Sequence, residues 1–309
     1  MLLLVCLAGL GLATALAFAA PLGWPFELFT HFRAQYAVAA AALAVLLLLV
    51  RRPGAAAVAG VLAALHALPA LQRALADDPA AACGGAAFTV ATANLQYSNH
   101  DTGRFLDWLA ANPADLVVLQ EVTGAWAEAL SGVPDYPQRE FLVRDDAYGI
   151  GVMSRWPLHS VEPRDFAGDG LPSLAGSLVI DGQPVRFLAL HTRWPILPGL
   201  AASRDRSLDA AAELVSAGNG PAAVLGDLNL TAYSPVFARF LETTGLRDAM
   251  GEPRWAPTWA AGFWPLALRI DHVLVTPELC VERVEVGPSI GSDHRPVIAR
   301  LRLASPPMR

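Results

Sequence analysis

The sequence predicts an α/β fold in which two mixed β-sheets pack face to face with helices outside, preceded by about three apolar helices. Three observations predict it. From residue 88 onward, short apolar runs alternate with stretches of helical periodicity over about 220 residues, enough for one large core. Most of those runs end on a polar residue capable of chemistry. The first 76 residues, by contrast, carry three long apolar runs.

Residues 2–20 contain no charge and, as a helix, reach roughly 28 Å, enough to cross bilayer hydrocarbon. Residues 36–50 form a second run closed by Arg51-Arg52-Pro53, and residues 54–71 a third, interrupted by His66 and Pro69. No basic stretch precedes the first run and two more follow it, which favours three transmembrane helices over a cleaved signal peptide. The paired Arg51 and Arg52 place their loop in the cytoplasm by the positive-inside rule. Counting spans puts residues 21–35, and everything after the third run, outside the cytoplasm. Residues 77–87 are small and broken by Pro79 and Gly84-Gly85, as a linker is. The expected organisation is a membrane segment at 1–76, a linker at 77–87 and a globular domain at 88–309.

The chain is 54% hydrophobic with a formal charge of −6, and its basic residues are all Arg. From residue 80 onward, 18 Arg face 25 Asp and Glu, a poor balance for general duplex nucleic-acid binding, which relies on basic groups neutralising phosphates. Cys83 and Cys280 lie in the globular part. An extracytoplasmic location permits them to pair, but spacing alone leaves pairing open.

In the globular part, residues 88–95 read as a strand ending at Asn94. A helix follows at 102–111, with Phe105, Leu106, Trp108 and Leu109 on its apolar face. Residues 116–119 make a short buried strand with Gln120-Glu121 at its end, and a helix covers 123–130. Strands follow at 148–154, 177–180 and 185–190, the last ending in His191-Thr192-Arg193. Residues 204–217 are an amphipathic helix. Residues 222–225 lead into Gly226-Asp227-Leu228-Asn229, and 234–241 are helical. Asp271 opens a strand at 270–275. Pro296, which cannot donate a ladder hydrogen bond, leaves Asp293 and His294 in the loop before a final strand at 297–303. The aromatics Trp255, Trp259, Phe263 and Trp264 before Asp271 are expected in the core, with a lipid-facing lip as the alternative. Ligand sites gather along an edge where such polar residues collect.

Taken in order, Asn94-Leu95, Gln120-Glu121, His191-Thr192, Gly226-Asp227-Leu228-Asn229, Asp271-His272 and Ser292-Asp293-His294-Arg295-Pro296 resemble the endonuclease/exonuclease/phosphatase superfamily. That group includes DNase I-like nucleases, abasic-site endonucleases, bacterial sphingomyelinases and inositol polyphosphate 5-phosphatases. The resemblance covers residues 88–303 and is nearest to membrane-tethered bacterial members. It implies a four-layered α/β sandwich, a divalent metal (Mg²⁺, with Mn²⁺ as the alternative) and hydrolysis of a phosphoester. The implied substrates are a lipid head group, a small phosphodiester or nucleic acid, and no protein partner is implied.

Phosphoester hydrolysis needs charge neutralisation at phosphoryl oxygens, an activated water and a proton for the leaving oxygen. Glu121 is the expected metal ligand, helped by Asn94 and Asp293, because Mg²⁺ takes few protein carboxylates. Asp227 is expected to orient or deprotonate the water, and Asn229 to donate to a phosphoryl oxygen. A local Asx turn is the bland alternative for that segment. His294 is expected as base or cationic phosphate contact, with Asp271 holding its imidazole. His191 faces the phosphate or leaving-group side, His272 is structural, and His100 and His159 are surface residues. Competing readings are a nuclease and a catalytically silent membrane scaffold.

Overall fold

Alternating side chains on two parallel strand pairs set the architecture of the globular part. The computed structural model describes residues 1–75, 83–251, 256–260 and 262–304. These form two units: a helical one of residues 1–75 with Leu230–Ala238, and a larger α/β one holding most of the remainder. The linker expected at 77–87 falls largely outside the described residues, as does Trp255.

The α/β unit contains two six-stranded sheets. The first has β1 (Ala87–Asn94) and β2 (Leu116–Gln120) side by side and parallel. Around them pair β3 (Gln138–Leu142), β4 (Ile150–Ser154), β11 (Leu279–Val286) and β12 (Val297–Leu303), in the order β11-β12-β1-β2-β4-β3. The second sheet comprises β5 (Leu158–Arg164), β6 (Ser173–Ile180), β7 (Gln183–His191), β8 (Ala222–Asp227), β9 (Arg247–Asp248) and β10 (Asp271–Val275). Its order is β5-β6-β7-β8-β10-β9, with β7 and β8 parallel.

Because successive strand residues face opposite ways, Val90, Leu116, Val118, Ile150 and Val152 join Phe187, Ala189, Ala223, Leu225 and Val273 in the core between the sheets. Ala91, Ala93, Val117 and Leu119 point outward onto α5 (Thr102–Ala111) and α6 (Gly124–Ser131), where Phe105, Trp108, Leu109, Trp126 and Leu130 cover them. Thr123 caps α6, its hydroxyl accepting the Trp126 N–H. On the other sheet stands α7 (Pro198–Ala217), whose Leu214 and Val215 line a small apolar cleft with Leu188 and Val224; the C-terminal end of α8 (Pro235–Thr244) lies beside it, the Thr243 carbonyl accepting from Ser216 Oγ. Helix–sheet–sheet–helix layering thus matches the expected sandwich.

Four strands escape the sequence reading: β3, β5, β9 and β11. Each has a single partner at a sheet edge, so at most one face is apolar and no continuous hydrophobic run marks it. Helix α7 begins six residues earlier than its apolar stripe suggested, at Pro198, a good first-turn residue. Cys83 and Cys280 form a disulfide across 197 positions, which closes the pairing question left open above.

The helical unit holds α1 (Leu2–Phe18), α2 (Glu27–Thr30), α3 (Arg33–Leu49) and α4 (Pro53–Leu75). Leu43, Leu47, Ala56 and Ala59 form its core with Leu3, Leu7 and Leu10. Helices stand where three membrane spans were expected, but the expectation needs correction. Among the described residues, no helix is long and apolar enough to cross a membrane. Both α1 and α3 are 17 residues long, roughly 25 Å: α1 ends before the turn at Ala19-Ala20-Pro21, and α3 runs from Phe32 to the cap at Val50.

Candidate active site

Strand register brings the expected residues together on one rim. In the first sheet Asn94 stands opposite Gln120, so β1 and β2 release Asn94 and Glu121 at the same end. In the second, His191 of β7 stands opposite Asp227 of β8, and Asp227 opposite Asp271 of β10. The loop before β12 meets the end of β1, where Ser292 Oγ donates to the Asn94 carbonyl (2.8 Å).

Asn94 joins the two sheets. Its Nδ2 donates to Glu121 Oε1 (3.0 Å) and to Asp227 Oδ2 (3.2 Å), and its Oδ1 accepts the Gln96 N–H (3.0 Å). One lone pair of that oxygen therefore stays available to a cation. Glu121 Oε2 accepts the Tyr97 N–H at 2.7 Å. Glu121 and Asn229 both sit in the left-handed region, at φ +61° and +49°. For Asn that is tolerable, whereas for Glu it is uncommon and marks a constrained position.

Gly226 is required by close approach. At φ +144°, a Cβ there would lie 1.8 Å from the Leu190 carbonyl oxygen. The turn behind it is the Asx turn weighed above: the Asn229 N–H donates to Asp227 Oδ1 (2.8 Å). The other carboxylate oxygen, Oδ2, faces the rim, 3.6 Å from His191 Nε2 and 3.7 Å from His294 Nε2. Asn229 Nδ2 donates to the Thr192 carbonyl (2.9 Å), leaving its second N–H for a ligand. His294 Nδ1 bonds Asp271 Oδ2 at 2.9 Å, the pairing expected from the sequence.

Charge separates the roles. Burial opposes ionisation of His294, but Asp271, Asp227 and Asp293 outweigh it and raise its pKa to about 10. It is an imidazolium at neutral pH. Burial, with the charge of Asp271, lifts Asp227 to about 7. Burial would raise Asp271 too, yet the His294 cation holds it down. Burial lowers His191 to about 3, so it stays neutral, its ring 5.5 Å from that of Tyr148. Arg193 stacks on the other aromatic contact of this corner, 4.3 Å from the Tyr148 centroid. Glu121 is raised by burial and further by the nearby charge of Asp293.

This arrangement suits a divalent cation. Glu121 and Asp293 are carboxylates within electrostatic reach of one another, and Asn94 touches Glu121 through its amide Nδ2. Ligand atoms of Asp227, Asp271 and His294 also lie within 4.8 Å of one another. That trio is the poorer metal site, since protonated His294 spends Nδ1–H on Asp271 and offers no lone pair.

Several contributors carried no sequence signal. Thr258 Oγ1 accepts the N–H groups of Ile270 and Asp271 (3.1 Å each), and its carbonyl accepts the Arg295 N–H, clamping the two rim segments that carry Asp271 and His294. Trp259 Nε1 donates to Asp293 Oδ2 (3.1 Å). Gln96 Oε1 accepts the Asp293 N–H (3.0 Å). A threonine or glutamine acting through a backbone partner distant in sequence leaves no local pattern. Phe263 and Trp264, expected in the core, are each 58% exposed, because they ride on a one-turn excursion ahead of β10. His272 lies in a buried network with Asp248 and Arg269, while His100 and His159 are on the surface, as read.

Comparison with known proteins agrees with this geometry. The model of the endonuclease/exonuclease/phosphatase family matches residues 91–294, a span holding every residue of the rim. No curated protein matches the chain. An endonuclease/exonuclease/phosphatase protein from Bacteroides vulgatus is similar at 20% identity, over 71% of this chain and 99% of its own, with a TM-score of 0.61. Sphingomyelinase C from Streptomyces griseocarneus is similar at 22% identity, over 70% of this chain and 99% of its own, with a TM-score of 0.54. D. rerio TDP2, solved with a single-strand DNA product, is similar at 16% identity over 70% and 99%, with a TM-score of 0.59. At these identities the structures establish the fold.

Proposed function

Since the chain belongs to the endonuclease/exonuclease/phosphatase family, we propose that it is a divalent-metal-dependent hydrolase of phosphoester bonds, held at a membrane with its α/β unit outside the cytoplasm. The observation that carries the reading is the meeting of Asn94, Glu121, His191, Asp227, Asn229, Asp271 and His294 on one rim, from two sheets and 200 positions of chain. Unrelated strand-end residues have no reason to converge so.

Glu121, with Asp293 and the Asn94 oxygen, would hold the ion, which when bound supplies charge neutralisation at the phosphoryl oxygens. Asp227 accepts the proton of the attacking water: Oδ1 is fixed by the Asn229 N–H, and its pKa near 7 suits a base. His294 is the wrong candidate for that task because it is already protonated; it donates from Nε2 to a phosphoryl oxygen instead. The spare N–H of Asn229 donates beside it. His191, neutral and against Tyr148, faces the leaving-group side.

Membrane attachment is supported by the helical unit, which exposes Leu2, Val5, Leu12, Val45, Leu48, Leu49, Val61 and Leu68, far more apolar surface than soluble monomers carry. The extracytoplasmic side is supported by the Cys83–Cys280 disulfide, which fits an oxidising compartment. The acidic balance after residue 80 favours a lipid head group or small phosphodiester over duplex nucleic acid. A panel of phospholipid, nucleotide, inositol phosphate and plasmid DNA with Mg²⁺ or Mn²⁺, run beside Glu121→Gln, tests the reading. Turnover of one class by the parent chain and none by the variant is expected; equal turnover by both overturns it.

A further inference from the structure

The chain leaves the α/β unit directly after Asn229 and enters the helical unit at Leu230. There it meets a set of buried polar side chains from α2 and its flank that apolar packing does not require. His31 Nδ1 bonds Thr231 Oγ1 at 3.0 Å and accepts the Thr231 N–H at 3.4 Å. A nitrogen that accepts a backbone N–H carries no proton, so His31 is held as one neutral tautomer. Thr30 Oγ1 donates to the Tyr233 carbonyl at 3.2 Å. The Glu27 carboxylate, 1% exposed, accepts from Ser234 Oγ. That hydroxyl in turn accepts the N–H groups of Val236 and Phe237 and so caps α8.

We propose that Glu27 and His31 are positioning residues for the reaction: they fix the 230–234 segment and thereby the Asp227–Asn229 turn that precedes it. The proposal rests on the reading of Asp227 and Asn229 as catalytic groups. Its physical basis is the shortness of the tether. Two bonds of His31 fall on Thr231, two residues beyond Asn229 and four beyond Asp227. Asn229 is held in the left-handed region, and its N–H sets the rotamer of the Asp227 carboxylate. Freeing position 231 lets that backbone relax toward ordinary φ values, which turns the Asp227 carboxylate. A buried carboxylate and a buried imidazole are costly placements in an apolar helical unit, and here the carboxylate and the imidazole Nδ1 each bond this segment. Residues 27–31 lie before the 91–294 span that matches the family, so the family's motifs do not account for these contacts.

The test uses the whole chain and three variants: His31→Leu, His31→Asn, which keeps an acceptor near the Nδ1 position, and the isosteric Thr231→Val. Turnover of bis-4-nitrophenyl phosphate with Mg²⁺ is measured with hydrogen exchange of the Leu228 and Asn229 amides. His31→Leu and Thr231→Val are expected to lower kcat about tenfold to a hundredfold, the scale of an ångström misplacement, with KM within about twofold. The Leu228 and Asn229 amides should exchange faster, and His31→Asn should restore most of both. If His31→Leu fails to fold, Thr231→Val carries the test. Unchanged exchange and kcat in Thr231→Val overturn the proposal. A parent chain inactive on every substrate sinks the functional reading instead, while exchange alone still decides the coupling.

Discussion

Replacing Asp271 by asparagine keeps the size and an acceptor for His294 Nδ1–H but removes one charge. In the parent protein the flanking carboxylates raise His294 from 6.5 to about 10 against the opposing effect of burial. That shift corresponds to roughly 5 kcal/mol favouring the imidazolium. Asp271, at 2.9 Å, is the largest favourable contributor. Without it, burial remains and only Asp227 and Asp293 oppose it, so the imidazole is expected to lose its proton at a markedly lower pH than in the parent. At pH 8.5 the parent is then almost wholly protonated and the variant largely neutral, an expected loss of about tenfold or more in kcat. At pH 6 both are protonated and the loss shrinks to about threefold or less. Asp227 is held up partly by the charge of Asp271, so in the variant it ionises at lower pH, which shrinks the low-pH loss further. The assay is the ratio of variant to parent kcat across pH 6–9, with the His294 ring followed by NMR. Stability obeys the same linkage. A raised histidine stabilises the fold fully below its unfolded value near 6.5, and the contribution fades as pH climbs toward 10. The parent Tm should thus fall over that window more steeply than that of the variant. A rate ratio independent of pH would refute the assignment of His294 as a cationic phosphate contact.

Three further outcomes are expected. Glu121→Asn should abolish Mg²⁺-dependent turnover yet stabilise the fold by about 1 kcal/mol, since Asn accepts a left-handed backbone more readily than Glu; chemical denaturation and a turnover assay check the pair. Gly226→Ala drives a Cβ into the Leu190 carbonyl, so β7 and β8 must separate where His191 meets Asp227. Loss of activity with a drop of several kcal/mol in stability is expected, and a well-folded active variant would contradict the geometry. Reducing Cys83–Cys280 reopens a 197-residue separation and should lower unfolding free energy by up to about 5 kcal/mol, seen as a Tm shift with and without reductant.

How much of this was legible beforehand follows from which interactions are local. Buried central strands such as β2 and β8 announce themselves as apolar runs, and the polar residues at their ends were read from position alone. Edge strands β3 and β5 were not, because half-exposed strands alternate too weakly to stand out. Asp271 and His294 could be paired from their resemblance to a known arrangement, but Thr258, Gln96 and Trp259 act through contacts many residues away. The helical unit shows the opposite error. Hydropathy located its helices but not their ends: α1 stops short of its apolar run, while α3 and α4 extend beyond theirs. Nor did anything near Glu27 and His31 suggest that a loop 200 positions away would satisfy them.

The charges on the rim bear on the cation more directly than the resemblance does. Glu121, Asp227, Asp271 and Asp293 stand around a single imidazolium, and His191 is neutral. Arg193, the guanidinium beside His191, is engaged by Asp169 at 3.3 Å. Each uncompensated carboxylate about 4 Å from a phosphoryl oxygen opposes its approach by a few kcal/mol at the dielectric of a partly buried site. Such a rim repels the anion it is proposed to cleave. Protonating the carboxylates would remove the repulsion but would also remove the base. A divalent cation held by Glu121 and Asp293 would reverse the local sign and leave Asp227 ionised, so the proposed requirement for metal follows from the same carboxylates proposed to carry the reaction.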